Sequence, residues 1–430
     1  LFAAFGALQA AFPAATPADL SWVLNAYTVV YATMLIPAGG LADAHGRKRV
    51  FLFGVALFLA ASAACGMADS VAWLIAARVV QALGAALLTP ASLSIILDAF
   101  PKEKRAVAVS LWGAVGGLAA AIGPSLGTAI VEHLGWPWAF YINLPLGAIS
   151  LWFGAARLRE AIVPGKRARI DLVGMLLLIV AVGAVAMAIT QLDSPHWSRL
   201  ELGALAVTSV LAFGAFIAWA RSSAAPLVDL ALFANRSYSA VNLATLAFGT
   251  AFAMMFFAFF AYMTRIWHFS LPLAGLAVTP GPLMVVPTAI IAGRIAACSG
   301  HRPVLVVGSL VYAASGLWLL LVPGTEPAYL TQWLPGLFLS GIGVGMVLPS
   351  LSGAAVAGLP PAQYAVGSAV NQATRQLGAV LGVAITVLLV GHASLTRADF
   401  MPLYGMHVAL ALITGALCLA VKTRPAPRPA

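Results

Sequence analysis

Of the 23 Lys and Arg in this 430-residue chain, only Arg78 and Arg375 lie deep inside long apolar runs. A guanidinium stays charged in a protein, so at such a position it must face protein or a water-filled cavity and find acceptors there. Arg78, Gln81 and Gly84 stand at i, i+3 and i+6 and share one helical face. The group can gate a cavity or relay protons, or Arg78 can simply satisfy carbonyls at a helix break. Asn371, Arg375, Gly378 and Gly382 form a second stripe, in which the glycines allow close helix approach and Arg375 needs an acceptor.

A third constellation is Gly39-Gly40-Leu41-Ala42-Asp43-Ala44-His45-Gly46-Arg47-Lys48-Arg49. Here a carboxylate meets three cations across a very short turn, whose backbone angles call for Gly46. Asp43 can pair with a basic side chain or cap a neighbouring helix N-terminus, and Gly46, Arg47 and Arg49 complete an electrostatic latch. Alternatively, Arg47, Lys48 and Arg49 only set membrane orientation. Gly113, Gly116, Ala120, Gly123 and Gly127 recur at three- and four-residue steps, the spacing of a packed small-residue seam, and Pro124 breaks its ladder. Trp22, Asn25 and Tyr27, with Phe252, Met255, Phe256, Phe259 and Tyr262, can line a pocket for an amphiphile or face core and lipid.

Other chemistries lack their residues. Cys65, Cys298 and Cys418 are far apart, and the seven histidines form no metal-binding pattern near a span centre. No nucleophile or acid pair marks an enzyme, and no phosphate-binding Gly-x-x-x-x-Gly-Lys-Ser/Thr loop points to ATP. No metal and no cofactor are expected, which leaves an ion gradient as the energy source. Carboxylates are scarce where a proton carrier would want one. Asp19, Glu132 and Asp171 fall at span ends and are expected in solvent or headgroups, leaving Asp43 as the acidic participant, acting through the latch.

The elements that must position these groups are membrane helices. The composition is 62% hydrophobic and 8% charged, in repeated apolar runs, each about 20 residues long and so able to cross a bilayer. The breaks predict an all-α polytopic protein with helices near 1–13, 20–42, 50–68, 72–97, 106–130, 137–156, 171–191, 200–220, 238–262, 272–293, 303–322, 330–356, 363–391 and 402–421. The first is short and is read as truncated. Alternating the loops puts 18 Lys and Arg on one side and 3 on the other, which makes both termini cytoplasmic. The net charge of +10 is then explained by topology and anionic lipid, and no nucleic-acid partner is needed.

The motifs resemble those of the major facilitator superfamily. The segment Gly39–Arg49 is similar to the family's signature loop between its second and third helices. Arg78-Val79-Val80-Gln81-Ala82-Leu83-Gly84 resembles the fourth-helix Arg-x-x-Gln-Gly motif, with Ala82 in place of the first glycine. Gly123-Pro124-Ser125-Leu126-Gly127 resembles the fifth-helix antiporter motif, with Thr128 replacing its last glycine. Trp136–Gly147, which contains Asn143, and Gly367–Gly378, which contains Gln372, are similar to segments of the fourteen-helix drug:proton antiporter branch. Gly293–Arg302 echoes the signature loop with Ala297 at its acidic position, so that half should latch more weakly.

The resemblance implies two six-helix bundles, over 1–156 and 237–421, rocking about a central cavity. Two extra helices within 157–236 join them, and 422–430 is a cytoplasmic tail. It further implies a monomer in the plasma or inner membrane that exports small amphiphilic drugs, antibiotics or toxins by proton-coupled alternating access. Trp22, Asn25, Tyr27, Asn143 and Gln372 become cavity candidates, with Arg78, Gln81, Asn371 and Arg375 as the buried polar relay. Uptake or facilitated diffusion of a small solute, and a transport-dead sensor or scaffold, are the alternatives.

Overall fold

The structure, a computed structural model, describes residues 4–99, 115, 119, 122–123, 125–160, 171–192, 197–357, 359, 364–391 and 395–423. Among these, all regular structure is helical. We number the helices α1 (Phe5–Ala11), α2 (Pro17–His45), α3 (Arg47–Gly66), α4 (Val71–Ala99), α5 (125–134), α6 (Trp138–Arg157), α7 (Leu172–Thr190), α8 (Arg199–Ser222) and α9 (Arg236–Arg265). They continue as α10 (Leu271–Val278 and Pro280–Ser299), α11 (His301–Leu321), α12 (Leu334–Ala357), α13 (Tyr364–Val390) and α14 (Arg397–Cys418). Eleven spans among the described residues are long and apolar enough to cross a membrane. α2 adds 29 residues, or roughly 44 Å at 1.5 Å per residue.

The helices run several residues beyond their hydropathic limits because polar caps and single-residue hinges set the ends. α2 and α3 are separated by Gly46 alone, whose φ of 105° places it outside the range favoured by residues with a Cβ. Thr16 and Asp19 bond reciprocally at the start of α2, as do Ser198 and Glu201 at the start of α8. α10 breaks at Thr279, ahead of Pro280, which has no N–H to offer the preceding turn.

Two compact units divide the chain. The first holds residues 3–115 and 130–229, the second 116–129 and 230–430. In the first unit α4 packs against α2 and α3, α6 lies on α3, and α7 joins α2 to α8. In the second, α9 is flanked by α13 and α14, while α11 packs on α12 and α14.

Bare backbone makes the tightest crossings. A Cβ at Gly84 on α4 would sit 2.6 Å from the Phe58 amide nitrogen of α3. A Cβ at Gly249 on α9 would sit 2.6 Å from the Arg375 carbonyl oxygen of α13, and one at Gly378 would lie 3.0 Å from the Thr250 nitrogen. By contrast, Gly123 and Gly127 would each have open space at that position among the described residues. Pro124 and most of the fifth span lie outside the described residues, as do the tail residues 424–430.

Polar residues inside the spans mostly turn back on their own helices, as in Thr33 to Val29, Thr245 to Val241 and Thr386 to Gly382, each hydroxyl donating to the carbonyl four residues earlier. Of the ninth-span aromatics, Phe259 and Tyr262 belong to the core of the second unit, whereas Phe252 and Phe256 are half-buried. Phe259 and Tyr262 are buried against Trp333, and Tyr262 also meets Phe400 edge to face.

Candidate functional site

Arg78 is buried, at 6% exposure, on the face of α4 turned toward α2. Its Nε donates to the Val23 carbonyl at 2.9 Å, its Nη1 donates to Gln81 Oε1, and its guanidinium carbon stands 3.9 Å from the centre of the Tyr27 ring. Phe140 on α6 supplies a second ring face at 5.9 Å. Among the described residues no carboxylate touches it. The charge is held instead by a carbonyl, an amide and two aromatic quadrupoles, a combination that offsets part of its desolvation.

Gln81 extends the arrangement. Its Nε2 donates to Ser62 Oγ on α3 at 2.7 Å, and Asn143 Nδ2 on α6 donates to the same hydroxyl at 3.4 Å. Ser62 in turn donates to the Phe58 carbonyl at 2.7 Å. A polar chain thus runs Arg78–Gln81–Ser62–Asn143 across three helices and through otherwise apolar packing. The sequence pattern places Arg78 and Gln81 on one face, and the structure joins Asn143 to them. Ser62 escapes sequence reasoning because a serine in an apolar helix usually bonds its own backbone.

The other first-unit candidates divide. Asn25 is fully buried on α2, and among the described residues neither Oδ1 nor Nδ2 has a hydrogen-bond partner, a costly state for a buried amide. Tyr27 stacks on Tyr31 as well as under Arg78. Trp22 turns toward α7, its Cη2 lying 3.7 Å from where a Cβ on Gly183 would be.

In the second unit Asn371 is buried and bonds across to α9, its Nδ2 donating to Thr245 Oγ1 at 2.8 Å and to Asn242 Oδ1 at 3.2 Å. It fastens the glycine seam between α9 and α13. Arg375 and Gln372 are half-buried on the same helix.

At the α2–α3 hinge the structure adds an acid that sequence reasoning did not assign. Glu160, just past α6, accepts from the backbone N–H of Lys48 at 3.0 Å and of Arg49 at 3.2 Å, and its Oε2 lies 3.5 Å from Arg49 Nε. Lys48 Nζ donates to the Ala155 carbonyl at 2.7 Å. Glu160 therefore caps the positive end of α3 from 112 residues away. Arg47 follows Gly46 on the first turn of α3, and the Asp43 side chain lies outside what is described. The corresponding hinge in the second unit, Gly300 with φ 78°, is closed by Thr423, whose hydroxyl accepts from the His301 N–H at 2.8 Å.

Asp171 corrects an expectation. Placed by hydropathy in solvent or headgroups, it is 8% exposed and accepts from Gly174 N, Trp219 Nε1 and Leu227 N, each at 2.8 Å. Three donors satisfy the carboxylate and knot α7 to α8 and to the strand of chain that follows, which is why it can be buried.

Many long apolar helices, whose backbone polar groups are satisfied within each helix, define a multi-pass helical membrane protein. The sequence matches the Major Facilitator Superfamily over residues 1–237 and 241–430, and the chain belongs to that superfamily of transporters. It is 35% identical over 377 residues to the MFS-type transporter Rv1250 of Mycobacterium tuberculosis, covering 85% of this chain and 63% of that protein. It is 32% identical over 372 residues to the multidrug resistance protein Stp of the same organism, covering 85% of this chain and 68% of Stp. The fold matches that of an auto-inhibited POT family peptide transporter with a TM-score of 0.65 at 17% identity, over 96% of this chain and 90% of the other.

Proposed function

We propose that this protein is a secondary active exporter of small amphiphilic compounds (drugs, antibiotics or toxins) that works by proton-coupled alternating access. The observation that carries the reading is the carboxylate-free Arg78 network in a chain that belongs to a transporter superfamily and is similar to a multidrug resistance protein. An always-charged group held by carbonyl, amide and ring faces can exchange those weak partners for a ligand without breaking a buried ion pair. The same lack of a counter-charge makes a lipophilic cation a poor guest beside Arg78, so neutral and anionic amphiphiles are the expected substrates.

In this reading residues 1–156 and 237–421 form the two bundles and 157–236 carries the inserted pair. Both termini are cytoplasmic, the protein is a monomer in the plasma or inner membrane, and the proton gradient is the energy source with no bound cofactor. The Gly46 hinge, with Asp43, Arg47 and Arg49, is the latch. The test is efflux of matched cationic, neutral and anionic dyes from energised cells, comparing wild type with Arg78→Ala and Asp43→Asn, with and without a protonophore. Export of neutral and anionic dyes that the protonophore and both variants abolish is the expected result. Faster export of the cation, or export that ignores the protonophore, counts against it.

A further inference from the structure

Proton coupling needs a group that charges and discharges within the membrane, and the described carboxylates lie at helix ends or outside the spans. His45, His133, His268 and His301 are also at ends or in connections. His407 differs. It lies at the middle of α14 and is fully buried. Histidine is the side chain whose ordinary titration falls nearest neutrality.

Its surroundings fix which atom is free. The Tyr312 carbonyl on α11 lies 3.0 Å from Nε2, and a carbonyl can only accept, so in the neutral ring Nε2 carries the hydrogen. Among the described residues Nδ1 is then a buried lone pair with no hydrogen bond of good geometry, and the Ala251 backbone of α9 approaches the same ring. The Tyr312 ring lies 4.3 Å from the imidazole, centre to centre. A Cβ at Gly316 would sit 3.0 Å from Nε2, so the absence of a side chain there makes room for the ring. On the same two helices the hydroxyls of Ser309, Tyr312, Ser315 and Tyr404 are likewise buried without partners among the described residues. Buried polar atoms in this state are rare and ask for a role. Tyr312 of α11 lies against the ring; Tyr404 is one turn away on α14 and meets Tyr262 of α9, which also carries Tyr238, while α13 carries Arg375; the ionic groups Arg236, Arg265, Arg302, Arg397 and Asp399 sit at helix ends.

We propose that His407 is the proton-binding group of the second unit and that its protonation couples the gradient to transport. A proton adds to the Nδ1 lone pair, giving an imidazolium that keeps its Nε2–H bond to Tyr312. The same proton leaves from Nδ1 when the site opens to the other side, and no other bond changes. With no carboxylate partner to trap the charged form, the group can discharge readily, as a coupling site must. The inference rests on the proton-coupled reading above.

The experiment uses the full chain in proteoliposomes with a fluorescent amphiphile that wild type carries, an internal pH dye, and an imposed pH gradient. Gradient-driven accumulation, substrate-linked proton movement and gradient-independent exchange are measured for wild type and His407→Gln, which keeps amide bonding without titration. The expected result is at least a tenfold loss of driven accumulation and of proton movement, with exchange within twofold of wild type. His407→Gln that retains driven accumulation and proton movement within twofold overturns the assignment. So does equal loss of exchange in a monodisperse variant, which would make the residue structural. Should His407→Gln fail to fold, Gly316→Ala, which keeps the imidazole but pushes on its Cδ2 and Nε2 edge so that the ring must shift, is expected to move the midpoint pH of driven export, and an unchanged midpoint overturns the proposal. Wild type that exchanges substrate without moving protons would refute the coupling reading itself, whereas coupling that survives in His407→Gln refutes only the site.

Discussion

Glu160 and Gly46 oppose each other so closely that a Cβ on Gly46 would lie 2.6 Å from the Glu160 carboxyl carbon. The glycine thus serves two ends: it takes a φ that other residues avoid, and it leaves room for an anion over the start of α3. Gly46→Ala must both strain the hinge and displace the cap, and is expected to destabilise the protein by roughly 1–3 kcal/mol. Glu160→Gln keeps the shape and loses the charge, at a cost of about 0.5–1 kcal/mol that fades as salt is raised. The second hinge uses a neutral hydroxyl, so Thr423→Ala should show no such salt dependence. Thermal melting in detergent at low and high salt measures all three. A cost for Glu160→Gln that is unchanged by salt would rule out the charge argument.

Arg78→Lys should fail to restore Arg78→Ala. Lysine is a point charge and cannot reach the Val23 carbonyl and Gln81 together while lying flat on Tyr27. Export is expected to fall more than tenfold in both, with normal expression. Near-wild-type efflux by the lysine variant would mean that charge alone suffices.

The Tyr27 ring separates two contributions. Tyr27→Phe keeps the face under the guanidinium and should leave export within about threefold, whereas Tyr27→Leu removes a contact worth about 2 kcal/mol or more when desolvated. Relative initial efflux rates for the pair decide it, and equal losses would remove the cation–ring contact from the argument.

Asp171→Ala should loosen α8 specifically. It strips the Trp219 indole and the Leu227 and Gly174 amides of their acceptor at once, leaving three donors unsatisfied. Limited proteolysis after 222 is expected to accelerate at least tenfold, with a changed Trp219 emission. Unchanged cleavage would show that the helices hold together without the knot.

Much of this was legible beforehand, for local reasons. Apolar runs give the spans, and spacing along one helix puts Arg78 and Gln81 together, because both signals lie within a few turns of sequence. What was not legible comes from groups far apart in the chain. Glu160 meets Lys48 across 112 residues, and Asp171 meets Trp219 across 48. No local pattern announces either, although topology already put the loop after α6 on the same side as the basic hinge. His407 was hidden by a boundary. A span starting at 402 leaves it near an end, whereas the bonds from Thr396 to Asp399 start α14 at Arg397 and carry the imidazole to the middle of the helix. Phe259 and Tyr262, two of the residues that could line a pocket or face core, pack as core, because aromatic stripes look alike whether they face a guest or a neighbouring helix.

Gly378→Ala should be costly for its size, since its methyl group would press on the Thr250 nitrogen at 3.0 Å. We expect a loss of 2 kcal/mol or more, on the order of an overpacked core, read as a lower melting temperature. Gly203→Ala, where a methyl meets open space, is the neutral control.

The seam of Gly249, Gly378 and Gly382 also has a mechanical consequence. Side chains between two helices act as bearings, letting one slide or roll on the other by changing rotamers. Where backbone lies on backbone there is nothing to re-pack, and Asn371 adds a pin at one end. α9 and α13 therefore turn as one beam, and a tilt imposed at Asn371 must reappear undiminished at Gly382, about 16 Å away at 1.5 Å of lever per residue.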